Sequence, residues 1–113
     1  MPALQQANPY TRKGRVMVIW KYPIQLADAF MLEVPADARP LSVIAQKGKP
    51  MIYFLIKDAE TMARSRWYIS VVGTGSPITS LAGDETFIGT FQLYDGDYVF
   101  HVFAALNGTT APA

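Results

Sequence analysis

The chain has no cysteine. Disulfide frameworks and thiolate metal sites are therefore excluded, and the fold must hold by packing and hydrogen bonds. Histidine is scarce as well. His101 is the single copy, so no metal centre can be built on paired imidazoles. Charged residues make up 17% of the chain, against about 25% in an average soluble domain. No apolar run approaches the roughly 18 residues needed to span a bilayer, so no membrane partner is expected. Residues 1–14 lack the apolar core of a secretory signal and read as a flexible arm with a basic end. Beyond Arg66 there is no lysine or arginine at all.

What is present is apolar. Half of the 113 residues are hydrophobic, enough for one domain with its own core and some surface to spare. That surplus leads us to expect a homo-oligomer. The net charge of +1 argues against strong, non-specific nucleic-acid binding, and no nucleic-acid partner is expected. The charge is nonetheless segregated. Residues 1–66 carry +5 and residues 67–113 carry −4. Either the two halves complement one another within one fold, or subunits meet head to tail.

Period-two alternation dominates, and no stretch sustains the 3.6-residue period of a helix. Strands are predicted at 15–22, 30–34, 41–46, 51–56, 66–72, 86–93 and 98–104. Lys47-Gly48 marks one hairpin, and Asp95-Gly96 carries the residue pair of a two-residue type I′ turn in another. Residues 51–56, MIYFLI, are apolar throughout and are expected to be covered on both faces. Gly89 inside a strand points to a bulge or a close backbone approach. Single helical turns are placed after Asp58 and after Ser76. The expected fold is all-β: about seven mainly antiparallel strands in a small sandwich or partly open barrel. One β domain spans 15–106, and 107–113 form a frayed, small-residue tail.

The candidate site residues fall into three groups. Gly73, Thr74, Gly75 and Ser76 follow a strand directly, where two glycines let backbone amides converge on an anion. The third glycine of a dinucleotide fingerprint is missing, and so is a Gly-Lys-Ser phosphate loop; a plain bend is the simpler account. Trp20, Tyr22 and Trp67 are flat aromatics near Lys21, Arg64 and Arg66, a composition that can stack a base but that also describes an ordinary core. His101 alternates with Val99 and Phe103 on one strand face, where a histidine is commonly a packed residue with one or two hydrogen bonds. Ser76, His101 and Asp84 or Asp95 supply the residue types of a triad, a combination found in almost any chain. Asp84 and Glu85, adjacent on the chain, read as a solvated loop rather than a proton-sharing pair.

Five motifs recur in order: Ile19-Trp20-Lys21-Tyr22-Pro23; Leu41-Ser42-Val43 with Gln46 and the Gly48-Lys49-Pro50 turn; Val72-Gly73-Thr74-Gly75-Ser76-Pro77-Ile78; Phe87-Ile88-Gly89-Thr90-Phe91-Gln92; and Val99-Phe100-His101-Val102-Phe103. Together they resemble a family of small proteins of unknown function encoded mainly by tailed bacteriophages and prophages. The resemblance covers about residues 17–104. Members often begin near this chain's Met17 and often carry histidine where Ser76 stands, so the arm and Ser76 are departures. The resemblance implies an infected bacterial cytoplasm as the setting and implies no activity.

The resulting expectation is a phage-encoded, non-enzymatic binding protein in the host cytoplasm, without a cofactor, acting on a host component or small ligand, counter-defence included. Sequestration of a nucleotide-type signal at Gly73, Thr74, Gly75 and Ser76 is the first alternative. A minor virion or assembly component is the second.

Overall fold

The structure is a computed structural model that describes the backbone of residues 11–12 and 15–110 and the side chains of 15–108. The arm expected over 1–14 lies outside these residues except for Thr11–Arg12 (β1), which pairs with Arg15–Val16 (β2). The body consists of Val18–Pro23 (β3), Ala29–Pro35 (β4), Arg39–Gln46 (β5), Lys49–Ile56 (β6), Arg64–Gly73 (β7), Thr86–Leu93 (β8) and Tyr98–Thr110 (β9). All strand pairs are antiparallel, and no helix occurs among the described residues.

The all-β expectation holds, and the architecture is a sandwich rather than a closed barrel. One sheet has the order β3-β6-β5, the other β4-β7-β9-β8. The chain changes sheet between β3 and β4, between β4 and β5, and between β6 and β7. β9 then inserts between β7 and β8. The core lies between the sheets. Ile52, Phe54 and Ile56 on β6 face Ile69 on β7 and Val102 on β9, all fully buried. Burial of each such side chain contributes about 1.5–3 kcal/mol. Phe54 sits at the centre, edge-on to Tyr22 (5.7 Å) and to Trp67 (5.9 Å).

β6 departs from the two-faced burial expected of MIYFLI. Ile52, Phe54 and Ile56 are buried, while Met51, Tyr53 and Leu55 are only half-buried. The other sheet packs on one face alone, so alternate residues of β6 point outwards. On that outer face Lys21 Nζ donates to Gln46 Oε1 at 2.7 Å, bridging β3 and β5 across β6.

Turn chemistry explains the remaining differences. Lys47 and Gly48 take positive φ, 52° and 77°, as a two-residue type I′ hairpin requires. The second hairpin is wider than Asp95-Gly96 implied. Leu93 pairs with Tyr98, and Tyr94, Asp95 and Gly96 all take positive φ, of 53°, 55° and 93°. The Tyr94 ring packs edge-on against Tyr98 at 5.6 Å, which holds the wider loop. The helical turns expected after Asp58 and Ser76 do not form. Asp58 Oδ1 instead accepts the Glu60 amide at 3.1 Å, and the segment then passes straight into β7. Residues 107–110, expected to fray, continue β9 opposite residues 64–66. Their amides have a ladder to join, and that outweighs their small side chains.

Candidate functional site

β7 ends at Gly73, and the chain turns at once. The Ser76 amide donates to the Gly73 carbonyl at 3.1 Å, and Gly75 at the third position has φ of 84°, the pattern of a type II turn. Only Gly75 of the two glycines uses a left-handed conformation. The Thr74 amide donates to the Val99 carbonyl at 3.0 Å. Two of the amides expected to converge on an anion are thus already engaged by carbonyls.

His101 closes this end of the molecule. It sits on β9 opposite Val72 on one side and Thr90 on the other. Its Nε2 lies 2.7 Å from Thr74 Oγ1 and its Nδ1 lies 2.9 Å from Thr90 Oγ1. A hydroxyl can donate or accept, so the two threonines satisfy either neutral tautomer and also the imidazolium. The ring ties the loop to β8.

Two shallow clefts flank the turn, of about 270 Å³ and 360 Å³. Ser76 and Gly73 line both. The first also has Asp28 on its wall and the second Asp97, and no lysine or arginine lines either. This electrostatic setting opposes an anion, because the positive charge the loop would need is not supplied by its neighbours.

Farther along the loop, Glu85 has a definite task. Its carboxylate accepts the Ala82 amide at 2.6 Å and the Gly83 amide at 2.8 Å. The Ala82 bond does most to hold the Glu85 carboxyl below its usual range; slight desolvation opposes it, and the Gly83 bond adds to it. Glu85 is therefore a pin for the loop rather than a freely solvated partner of Asp84.

The aromatic candidates lie elsewhere. Tyr22 packs on the core, and burial pushes its phenol above the usual range while the nearby Arg64 charge opposes that shift. Trp20, on the same edge strand, is 41% exposed. Trp67 is half-buried against Phe54 at the opposite end of β7 from Gly73. Six residues of strand, about 20 Å, separate Trp67 from the glycine turn. The structure brings together Gly73, Thr74, Gly75, Ser76 and His101, and it leaves Trp20, Tyr22 and Trp67 apart from them. Sequence reasoning missed Thr90, the second partner of His101. Only the β8–β9 register reveals it, because Thr90 and His101 are cross-strand neighbours.

Among the described residues no group of three or more His, Asp or Glu side chains is placed to hold a metal ion. No curated protein and no solved structure matches the chain. A family description does match, over residues 16–111, and it covers both sheets, the glycine turn and His101. The chain belongs to the DUF7352 family, a domain of unknown function.

Proposed function

We propose that this domain is a non-enzymatic binding module that associates with a second copy of itself through the outer face of the four-stranded sheet. The observation that carries this reading is the composition of that face. Alternation places Met31 on β4, Tyr68 on β7, Phe103 and Ala105 on β9, and Phe87 on β8 on the same outer side. Met31 is 43% exposed and Phe87 is 54% exposed. The Phe87 and Phe103 rings touch, with centroids 5.4 Å apart. No charge interrupts these rows; Glu33 and Arg66 stand opposite each other at their rim. An apolar centre with a charged rim is the usual anatomy of a protein contact, and one Glu and one Arg side by side suit a two-fold self-contact.

The motif resemblance adds a setting to this reading: a phage-encoded protein in the cytoplasm of an infected bacterium, with a host component as the target of the assembled module. Sedimentation velocity over a wide concentration range tests the self-association. A reversible dimer that Phe87→Glu and Met31→Glu dissociate is the expected result. A strict monomer at every concentration would overturn the proposal.

A further inference from the structure

Three of the ladders slip register, and all three slips surround one cleft. In β5–β6 the pairing jumps between Pro40 and Ser42; in β7–β9 between Arg66 and Trp67; in β8–β9 between Phe87 and Gly89. The β3–β6 and β4–β7 ladders run without a break. Pro40, Trp67, Ile88 and Leu106, each at or beside a slip, line a cleft of about 430 Å³ at the end of the sandwich away from the glycine turn. A bulge adds an unpaired residue, bends its strand and re-aims a side chain, and bulges gather beside functional sites.

The chemistry of the walls is specific. Trp67, Ile88, Leu106 and Pro40 give apolar surface; Arg39 and Lys57 add two cations against the single acid Asp37. Asp37 holds a left-handed conformation, with φ of 66°. Trp67 Nε1 is buried and has no hydrogen-bond partner among the described residues. An indole N–H left without an acceptor costs free energy, so its retention calls for a reason. The volume falls within the range of small-ligand sites, about 300–1,000 Å³. The sign of the charge is the reverse of that at the glycine turn, where acids line the clefts.

We propose that this cleft binds a small aromatic anion of the nucleoside monophosphate type. Trp67 contributes apolar surface for the flat ring, and Arg39 and Lys57 hold the anionic group. This site stands apart from the outer face of the four-stranded sheet, so it survives or fails independently of self-association.

The test is a titration followed by the indole N–H signals in ¹⁵N–¹H spectra, with Trp20→Phe protein to assign Trp67. The probes are AMP, GMP, CMP and UMP, with adenosine and inorganic phosphate as the ring-only and anion-only arms. Saturable movement of the Trp67 signal by at least one monophosphate, with weaker effects from adenosine and phosphate, is expected. Arg39→Glu together with Lys57→Glu should weaken that binding about tenfold or more, without disturbing the rest of the spectrum. No saturable movement with any monophosphate up to millimolar concentration would overturn the proposal. So would binding that the charge reversal leaves unchanged.

Discussion

Gly89 on β8 and Val43 on β5 meet where the edges of the two sheets run side by side: a Cβ placed on Gly89 would stand 3.0 Å from Val43 Cγ2. Val43 is β-branched and stiff about χ1, so it yields little. Gly89→Ala is expected to destabilise the fold by about 1–3 kcal/mol, the usual cost of overpacking. Val43→Ala in the same chain should recover part of that loss. A double-mutant cycle by urea denaturation measures the coupling; additive effects would show that the contact is not what limits residue 89.

Ser70 is fully buried on β7, and its hydroxyl has no partner among the described residues. A buried hydroxyl without a hydrogen bond is a liability that alanine removes. Ser70→Ala is expected to raise stability by about 1 kcal/mol. The shift in urea midpoint at constant slope reads this directly, and a lower midpoint would show that the hydroxyl has a partner in solution.

Glu85 gives the loop after β7 a dependence on acidity. Its folded carboxyl titrates below its unfolded value, so its contribution is complete above the ordinary glutamate range. It is lost as pH falls through the lowered folded value. The Ala82 and Gly83 amide signals should move together in an acid titration, with a midpoint below that of a free glutamate. Glu85→Gln should abolish the transition while leaving the sheets intact.

The threonines around His101 separate anchoring from chemistry. Thr74→Val removes the bond to Nε2 and is expected to cost about 1 kcal/mol at most, because the pair is exposed. Its main effect should be faster amide exchange across residues 74–83. Thr90→Val cuts the Nδ1 bond and frees the ring from β8 instead. If exchange in the loop is unchanged by Thr74→Val, His101 does not tether it.

The strands were legible because each carries its own signal. Alternating apolar residues and the Lys47-Gly48 turn are local properties, and local physics decides them. His101 was legible in the same way, as a lone histidine on a strand face. The cleft at Trp67 was not. Arg39, Lys57, Ile88 and Leu106 sit on or beside four different strands, and they converge only through register slips. A slip is a property of two strands at once, so neither sequence announces it. Of the two explanations offered for Gly89, a bulge and a close approach, the structure shows both at once. Gly-Thr-Gly is conspicuous in the sequence, yet its geometry is that of an ordinary type II turn.

The insertion of β9 between β7 and β8 has a bearing on how the molecule is made. A ribosome releases β7 and β8 before the strand that joins them exists. Until residues 98–106 have emerged, β8 has no neighbour in its own sheet and most of the inner edge of β7 stands open. The nascent chain thus passes through an interval in which strand edges rich in apolar residues are unprotected. A premature stop before Tyr98 would prolong that interval indefinitely, which makes β9 the strand on which closure of the four-stranded sheet depends.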